Sequence, residues 1–385
     1  MLFPEAQSQV SFLKDLVTLR DPTSRFSFLN YLHCMGRLED FVNLQTFFPY
    51  RRELAAYLQW CVAQLRRIDV QFGCAVCAVT PVLDAAGRIA RWSVQCRNGR
   101  SFVARRLAYG AGRDPHVPEL FAPFLGAGVV HASGFLDHVN GAGARVPDSV
   151  AVIGGAQSSA EVYAECLRRF PHARVRLLMR SVGLLPYGGS KFTNALYIKE
   201  FVDQFYSSAP DTRQRLLDGM RQSNYAGVTP AMLDSLFRFH YLQQLDQCER
   251  ATMHTHVDIA AVRGVAGRLQ MRWTDARAAA TQEESFDLIV LGTGYRNTVP
   301  GLVGSVLDTL GIDRLDVSRD YRACLPCAAG VSLHLLGVNE STHGISDTLL
   351  SVVGARARRV LCDLGQAGQH GGASAGLASE PARAA

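Results

Sequence analysis

A glycine-rich turn between a predicted strand and a predicted helix is the segment most able to do chemistry. Residues 149–161 read Ser-Val-Ala-Val-Ile-Gly-Gly-Ala-Gln-Ser-Ser-Ala-Glu. Such a turn presents backbone N–H groups and a helix N-terminus, which bind a pyrophosphate. Against the Gly-x-Gly-x-x-Gly/Ala pattern, Gly154 is present, Ala156 replaces the middle glycine and Ser159 stands at the third position. The segment predicts a dinucleotide site, with an ordinary strand–turn–helix as the alternative.

An arginine at the end of the next predicted strand indicates which dinucleotide would bind. Residues 175–180 form a predicted strand that ends at Arg180. An acidic residue there would accept the ribose hydroxyls of NAD, whereas an arginine suits the 2′-phosphate of NADP. A solvated arginine at a strand end is the alternative. Because the turn at Gly154 lies mid-chain and no similar turn precedes it, it is typical of a second nucleotide site, and a flavoprotein is predicted.

Three further polar residues lie in apolar or aromatic surroundings. Lys14 falls within the half-apolar segment 9–19, where its stem could snorkel or its ammonium could be a buried cation that needs a carboxylate. Asn194 and Asn224 lie in a helical region rich in aromatic residues. Asparagine there can cap a helix or offer its amide to a polar ligand. Composition leaves these alternatives open.

Ten cysteines include two pairs with the spacing of metal ligands, Cys74–Cys77 and Cys324–Cys327. A zinc site would need both pairs to meet in space. Ten cysteines produce such spacings by chance, and the first pair lies in a strand-like run, so we predict no metal. Neither pair lies at a glycine-rich turn, which argues against a disulfide-reductase role. With no signal-peptide pattern, reduced thiols in a cytoplasmic protein are expected.

The predicted elements that must position these residues alternate between strands and helices. The 385 residues allow two or three domains, and a hydrophobic content of 48% supports a sizeable core. Around the glycine turn, a strand at 150–153, a helix to about residue 170 and the strand 175–180 form one crossover unit. The other predicted strands are 74–82, 89–108, 253–275, 287–295 and 334–338, and the other predicted helices are 26–33, 53–66, 190–244 and 348–364.

Net charge and hydropathy limit the classes of molecule that the protein is expected to bind. The net charge of +6 comes without a block of Lys and Arg, so it suits an anionic cofactor better than nucleic acid. No window of 18 apolar residues occurs in the sequence, and we expect no membrane span. Residues 365–385 are rich in Gly, Ala and Ser and are predicted to be a disordered tail.

Several short stretches together form a recognisable set. They are Gln9-Val-Ser-Phe-Leu-Lys14-Asp-Leu-Val, Asp21-Pro-Thr-Ser, Phe28-Leu-Asn-Tyr-Leu-His33, Ile153-Gly-Gly-Ala-Gln-Ser-Ser-Ala-Glu161, Asn224-Tyr225, Leu291-Gly-Thr-Gly-Tyr295 and Asn339-Glu-Ser-Thr-His343-Gly-Ile-Ser-Asp-Thr-Leu-Leu-Ser351. This set resembles the flavin-dependent N-hydroxylating monooxygenases that act on ornithine or lysine in siderophore biosynthesis. The resemblance runs from about residue 2 to 362, and segment 40–51 is more similar to the ornithine branch.

The resemblance implies an α/β fold with two Rossmann-like dinucleotide-binding domains, the NADPH domain inserted in the FAD domain, and a small helical substrate region. The implied FAD-binding domain covers 1–145 and 288–364, and the NADPH-binding domain covers 146–190 and 246–287. The substrate region covers 191–245. The family also implies a homo-oligomer, a tetramer in some members.

The resemblance also implies roles for single residues. Substrate would be held by Lys14 and Asn224 at the carboxylate, by Asn194 at the side-chain amine, and by Ser351. The residues implied to bind FAD or NADPH are Gln9, Arg51, Gly154, Gly155, Gln157, Ser158, Ser159, Arg180, Tyr225, Gly294, His343 and Ser346. No general base is implied, since NADPH, FAD and O2 together supply the hydroxylating chemistry.

Three departures from the family pattern bear on these expectations. Ala156 replaces a family glycine, and Lys191-Phe-Thr-Asn194-Ala195 differs from the family's usual Ser-Pro-Phe-Val-Asn-Glu. The N-terminal FAD fingerprint is absent, so the first strand–helix–strand unit of the FAD domain is expected to be missing, with poor solubility as a consequence. A lysine or diamine hydroxylase, and an inactive remnant that binds NADPH or a partner without taking up FAD, stay as alternatives to an ornithine N5-hydroxylase.

Overall fold

The computed structural model describes residues 3–143, 145–224, 227–277 and 280–369. Its α-helices, numbered in chain order, are α1 Phe28–Cys34, α2 Leu38–Asn43, α3 Arg51–Ala63, α4 Phe135–Asn140, α5 Gln157–Arg169, α6 Lys191–Asn194, α7 Lys199–Ser207, α8 Pro210–Asn224, α9 Pro230–Leu245, α10 Gly301–Leu310, α11 Glu340–His343 and α12 Val353–Gln369. Its strands are β1 Val76–Leu83, β2 Ile89–Cys96, β3 Ser101–Ala104, β4 Arg106–Tyr109, β5 Val129–His131, β6 Ser149–Ile153, β7 Arg174–Leu178, β8 Ala251–His254, β9 Val257–Val265, β10 Arg268–Asp275, β11 Ala280–Phe286, β12 Leu288–Leu291 and β13 Ser332–Leu335.

A parallel sheet of five strands, in the order β5-β12-β6-β7-β8, carries the glycine turn. β6 and β12 are buried along their whole lengths, as expected for parallel strands covered on both faces. Successive side chains of a strand point to opposite faces. Val150 and Val152 accordingly join one hydrophobic cluster, whereas Ala151 and Ile153 join another. The short apolar run therefore forms a central strand between two layers.

Different elements cover the two faces of this sheet. On one face, Val162 and Tyr163 of α5 pack together with Leu236 of α9. On the other face lies the antiparallel meander β9-β10-β11, which contributes Met271 and Trp273. The layered arrangement confirms the predicted α/β class with a parallel, Rossmann-like sheet.

Besides the large sheet and the β9-β10-β11 meander, the described residues form two further sheets. β1, β2 and β3 form an antiparallel sheet, and β4 pairs in parallel with β13. Trp92 of β2 is fully buried and donates its indole N–H to the carbonyl of Ser332 at 3.1 Å. Val306 of α10 completes the same cluster. Among the described residues, no helix combines the length and the hydropathy that crossing a membrane requires.

The N-terminal segment folds into a helical cluster around α1, α2 and α3. Phe28, Tyr31 and Tyr57 form the aromatic centre of this cluster, with ring centroids 5.4–5.8 Å apart. The carboxylate of Asp15 is buried and accepts the backbone N–H of Phe28 at 2.7 Å. A buried carboxylate that receives backbone donors ties the entry of the chain to the first helix.

The large sheet crosses the boundaries at 145 and 288 expected between the two nucleotide domains. β5 and β12 lie within the ranges assigned to the FAD domain, yet β12 pairs with both β5 and β6. At the other end of the chain, α12 runs to Gln369, beyond the predicted start of the disordered tail at residue 365. Gly365 and Gly368 fall inside this helix, because isolated glycines in a helix are tolerated at a modest cost. The rest of the predicted tail lies outside the described residues.

Candidate functional site

The carboxyl ends of three neighbouring strands bring two glycine turns and an arginine to one edge of the large sheet. β6 runs into Gly154, β12 into Gly292 and β7 towards Arg180. The register sets the last residues of these strands side by side. Ligands of open α/β sheets bind at this edge, outside the carboxyl ends of the strands. The sequence-predicted nucleotide residues therefore share one surface.

Gly154 and Gly155 make a turn that no residue with a side chain fits. Gly154 has φ of 136°, a region that L-residues rarely adopt. A Cβ at this position would collide with the Ser159 hydroxyl and lie 2.5 Å from the carbonyl oxygen of Gly292. A Cβ on Gly155 would lie 2.5 Å from the Ser181 hydroxyl. Gly154 is required by its φ and by its approach to backbone, whereas a side chain at position 155 would force the Ser181 hydroxyl to move.

Helix α5 begins directly after the turn and leaves its first N–H groups available. Ala156 is the residue before the helix and has no side chain that could cap it. Gln157 and Ser158 open the first turn and are half-buried. Ser159 is fully buried and donates to the carbonyl of Gly292 at 3.2 Å. The thirteen-residue helix thus directs an uncapped, positive N-terminus at the sheet edge, where an anion is stabilised.

A buried ionic network holds the start of α5 against the N-terminal helices. Arg51, the first residue of α3, makes two parallel hydrogen bonds of 2.7 Å to the carboxylate of Glu161. Glu161 also accepts the side-chain amide of Gln157 at 2.9 Å, and the Gln157 carbonyl accepts the backbone N–H of Thr229 at 2.8 Å. The network joins three elements, because Thr229 precedes α9. It couples the nucleotide turn to segments far away in the chain.

Arg180 lies two residues beyond β7, on the same edge as the turn. Its side chain is exposed, and no ion pair to it occurs within the described ranges. At the opposite, amino end of the same strand, Arg174 pairs with Glu284 at 3.6 Å. The cation at the carboxyl end is therefore the one placed to meet an anionic ligand.

The second glycine turn, which follows β12, is engaged by the protein itself. Gly294 has φ of 77°, and its carbonyl accepts the backbone N–H of His116 and an N–H of His131, both at 2.9 Å. Burial lowers the pKa of His131, and a hydrogen bond of 2.8 Å joins its Nδ1 to Ser133. No α-helix begins within this turn. The Gly294 carbonyl is thus held by hydrogen bonds from within the protein.

The segment from α11 to Ser351 forms a separate buried group. His343 stacks on Tyr321 with ring centroids 4.1 Å apart and lies 5.1 Å from the ring of Tyr206. Its burial lowers the pKa of His343 to about 4, so its imidazole is neutral at pH 7. The hydroxyl of Ser346 is buried and has no hydrogen-bond partner among the described residues. This unpartnered hydroxyl can bond a group that enters from outside the chain.

A cavity of about 660 Å³ adjoins Ser351. Its volume falls within the range of small-molecule sites. Ser351 donates to the carbonyl of Tyr197 at 2.8 Å, which brings the C-terminal segment next to the helical region that contains Asn194. The charged residues of the cavity wall are Asp15, Arg20, Lys199, Glu200, Asp320, Arg356, Arg358 and Arg359. Three of the cations already pair with carboxylates, Arg356 with Asp347, Arg359 with Asp203 and Lys199 with Glu200, so the cavity wall is polar and of mixed charge.

The remaining predicted site residues lie at three places. Gln9 and Lys14 are half-buried in the N-terminal segment, and Lys14 has no ion-pair partner in the part of the chain that the structure describes. Asn194 ends α6 and is exposed. Asn224 ends α8, and Tyr225 lies outside the described residues. The cavity is lined by Asp15 but not by Lys14.

Two polar groups near the site escaped the sequence analysis. Glu161 is 4% exposed, and its place directly after the glycine motif was the only signal. Arg113 contacts Asn297 and forms a 3.2 Å ion pair with Glu340, which accepts the Asn297 amide at 2.9 Å. This cluster joins the turn after β4 to the start of α11. No spacing rule relates residues so far apart in the chain.

The two cysteine pairs with metal-like spacing do not form a metal centre. No group of three or more His, Cys, Asp or Glu side chains in the described ranges is arranged to hold a metal ion. Cys74 instead lies near Cys96, whereas Cys327 pairs with Ile89 through a β-bridge. The Cys-x-x-Cys spacing is therefore a weak indication that two thiols are close in space, since the pairing of strands decides which thiols are neighbours.

Comparison with known proteins identifies chains of similar sequence and fold. A family model described as L-lysine 6-monooxygenase/L-ornithine 5-monooxygenase matches residues 1–297. An L-ornithine N(5)-monooxygenase from Burkholderia cepacia is 38% identical, over 89% of this chain and 80% of its own length. The ornithine hydroxylase PvdA from Pseudomonas aeruginosa superposes with a TM-score of 0.87 at 31% identity, covering 96% of this chain and 88% of that one.

A second solved structure is described with bound ligands. It is a Kutzneria ornithine N-hydroxylase described with reduced FAD, NADP+ and L-ornithine. This chain matches it with a TM-score of 0.86 at 28% identity, over 96% of this chain and 89% of that one. The likeness therefore extends over nearly the whole of both chains.

Proposed function

The chain belongs to the L-lysine 6-monooxygenase/L-ornithine 5-monooxygenase family, and we propose that it hydroxylates the side-chain amine of L-ornithine. The reaction uses FAD, NADPH and O2, and its product serves hydroxamate siderophore biosynthesis. The observation that carries the assignment is the sheet edge that combines the Gly154 turn, the free N-terminus of α5 and Arg180. The relatives support ornithine as the substrate, because the similar proteins named above are ornithine enzymes.

The residues at the sheet edge fit NADPH. The glycine pair keeps side chains out of the place where a pyrophosphate approaches the backbone. We assign the pyrophosphate to the turn Gly154-Gly155 and to the helix start Gln157-Ser158-Ser159, and the 2′-phosphate to Arg180. Tyr225, which lies outside the described residues, completes the proposed set at the nicotinamide.

FAD is assigned to residues from several segments. The buried hydroxyl of Ser346, which has no hydrogen-bond partner among the described residues, and the polar cavity next to Ser351 fit a polar cofactor. We propose Gln9, Arg51, Gly294, His343 and Ser346 as its contacts. Arg51 already donates three hydrogen bonds, to Glu161 and to the carbonyl of Gln7, and a guanidinium has five N–H groups. When bound, FAD accepts a hydride from NADPH and activates O2, so the protein needs no general base.

The protein's own task is to hold the amino acid and to exclude water. We propose that Lys14 and Asn224 bind the carboxylate of the substrate, that Asn194 binds its side-chain amine, and that Ser351 fixes its position. The hydrogen bond from Ser351 to Tyr197 supports a site between the C-terminal segment and the helical region. Correct placement of the amine converts a bimolecular encounter into an oriented one.

We retain the division into FAD, NADPH and helical substrate regions as a proposal, with the large sheet continuous between the first two.

We also propose a homo-oligomer. Phe237, Tyr241, Leu242 and Leu245 of α9 are 51–75% exposed and share one helix face. An apolar face of this kind is typical of an interface. Analytical ultracentrifugation should give a molecular mass larger than that of one chain. We also expect the protein to be located in the cytoplasm.

The test is to purify the protein, add FAD, and measure hydroxylamine formation with NADPH from L-ornithine, L-lysine and putrescine. We expect flavin uptake and the highest rate with L-ornithine. A higher rate with L-lysine or putrescine would reassign the substrate. A colourless protein that makes no product would show that this chain is instead the inactive remnant, which binds NADPH or a partner without taking up FAD.

The substrate carboxylate is tested with Lys14→Met. Activity on L-ornithine should fall about 10- to 100-fold, since a charged hydrogen bond contributes roughly 1.5–3 kcal/mol. Activity on putrescine, which has no carboxylate, should stay unchanged. The matched control is Arg314→Met, because Arg314 is 87% exposed and pairs only with the exposed Asp316 among the described residues. Equal losses on both substrates would contradict the assigned role.

A further inference from the structure

Two cysteines that are distant in the chain meet at one end of the antiparallel sheet. Val76, near the start of β1, pairs with Cys96 at the end of β2. The N–H of Arg97 bonds the carbonyl of Ala75 at 2.8 Å, so the pairing continues one residue further and places Cys74 diagonally across from Cys96 on the same face. Cys96 is only 5% exposed, whereas Cys74 is half-buried. One thiol is open to solvent and the other lies directly behind it.

A tight turn directs hydrogen-bond donors at the Cys74 sulfur. Residues 96–100 fold back on themselves, with the N–H of Cys96 bonded to the carbonyl of Arg100 at 2.8 Å. The Asn98 amide reaches the Cys74 sulfur at 3.4 Å and the Arg100 guanidinium at 3.9 Å. Asn98 also donates to the carbonyl of Gly73 at 3.0 Å. The donors are held in place by the chain segment that carries Cys74.

The two thiols have different acidities. The hydrogen bond from Asn98 and the positive charge of Arg100 lower the pKa of Cys74. Burial raises the pKa of Cys96. A reactive cysteine is an accessible thiolate near cationic groups, and a neighbouring thiol can resolve its oxidised form. The lower pKa and the exposure of Cys74 suit the thiol that attacks, whereas the buried Cys96 suits the thiol that resolves the oxidised form.

We propose that Cys74 and Cys96 form a peroxide-sensitive thiol pair that closes to a disulfide. The Cys74 thiolate attacks one oxygen of hydrogen peroxide, the O–O bond breaks, and sulfenic acid and hydroxide form. Cys96 then loses its proton and attacks the Cys74 sulfur, the S–O bond breaks, and water leaves. Two thiols are oxidised by two electrons in total, and one peroxide is reduced to two waters. This site lies outside the proposed hydroxylation machinery.

Cys77 is the competing partner, because it lies closer to Cys74 in sequence. Its thiol donates to the carbonyl of Gln95 at 3.5 Å, and Cys77 is exposed. The strand register, not the Cys-x-x-Cys spacing, places Cys96 beside Cys74. The identity of the bonded pair therefore distinguishes the structural proposal from the motif.

The experiment oxidises the reduced full chain with a small excess of hydrogen peroxide, alkylates free thiols, and maps tryptic peptides by mass spectrometry. Cys74 and Cys77 share peptide 68–88, and Cys96 lies in peptide 92–97. We expect these two peptides to become cross-linked before the exposed Cys34 and Cys248 are oxidised. The cross-link should persist in Cys77→Ser and vanish in Cys74→Ser.

Two further results decide the proposal. Arg100→Gln should slow cross-linking about 3- to 10-fold, since the guanidinium favours the thiolate, while Arg91→Gln on the same sheet should leave the rate unchanged. A disulfide within peptide 68–88, seen as a loss of two hydrogen atoms without a partner peptide, would overturn the pairing. Oxidation of Cys74 no faster than that of Cys248 would overturn the reactivity.

Discussion

Two glycine turns lie next to each other at the same sheet edge, and only the first of them leads directly into an α-helix. The Gly154 turn leads directly into α5, whose N-terminus has no side-chain cap. The Gly292 turn continues into a loop in which the Gly294 carbonyl is taken by His116 and His131. The turns contact each other, because Ser159 bonds the Gly292 carbonyl.

The difference shows what makes a glycine turn a binding site. Both turns follow buried parallel strands, and both contain a glycine with positive φ, Gly154 and Gly294. Glycine supplies the conformation in each case. A helix N-terminus adds several N–H groups that a bound anion can accept, and only the Gly154 turn is followed directly by such a helix. The second turn supports the first, because the Gly292 carbonyl accepts a hydrogen bond from Ser159.

The largest effect is expected from breaking the ion pair that holds α5 in place. In Arg51→Met, the carboxylate of Glu161 stays buried without its cation, and stability should fall by about 3–5 kcal/mol. Urea unfolding measures the loss. The double variant Arg51→Met/Glu161→Leu should recover most of it, because no buried charge is left unpaired.

The matched control is Arg37→Met. It breaks the ion pair between Arg37 and Glu53, which lies in α3 like Arg51. Arg37 is 45% exposed, Glu53 is 12% exposed, and Arg37 also donates to the Tyr31 hydroxyl at 2.9 Å, so this variant should lose about 1–2 kcal/mol, less than Arg51→Met. Equal urea midpoints for Arg51→Met and Arg37→Met would show that the Glu161 network does not anchor the first turn.

The next effect compares the two glycines directly. Gly154→Ala should cost about 3 kcal/mol, because a strained φ is combined with a collision against backbone. Gly294→Ala should cost about 1 kcal/mol, since a Cβ there meets open space and only the positive φ is unfavourable. Thermal unfolding of the two variants measures the difference. Similar losses would mean that the turns are equally tight.

A smaller effect concerns the anion that the first turn receives. Arg180→Gln should raise the KM for NADPH about 10- to 100-fold, corresponding to a lost charged hydrogen bond of roughly 1.5–3 kcal/mol. The KM for NADH should not change, because NADH lacks the 2′-phosphate. Arg174→Gln, at the other end of β7, is the control. A parallel rise for both cofactors would remove Arg180 from the phosphate site.

The smallest effect is expected at the second turn and depends on pH. Burial lowers the pKa of His131 in the folded state, so folding favours the neutral ring. Its contribution to stability is complete above the unfolded pKa of about 6.5 and is lost as pH falls below that value. The drop in melting temperature between pH 7.5 and pH 5.5 should therefore be smaller in His131→Gln. An unchanged drop would show that His131 is not a titrating support.

Local patterns predicted much of the fold and part of the site. The strand at 150–153, the helix after it and the strand at 175–180 appear as β6, α5 and β7 within two residues, because their hydrophobic periods are local. The positions of Gly154, Gly155 and Arg180 on one edge follow from the same crossover. The partners of β6 could not be predicted, since β12 lies far along the chain and joins the sheet only through tertiary pairing.

The sequence by itself determined the family, the α/β class and the nucleotide turn, because each can be recognised from contiguous residues, in one short segment or in several taken together. Only the tertiary structure decided that Arg51 binds Glu161, that Gly292 supports the Gly154 turn, and that Cys74 faces Cys96 instead of pairing with Cys77. Those contacts join residues with no fixed spacing. They form because burying the apolar faces of strands and helices brings particular polar groups together, and those groups must then satisfy one another.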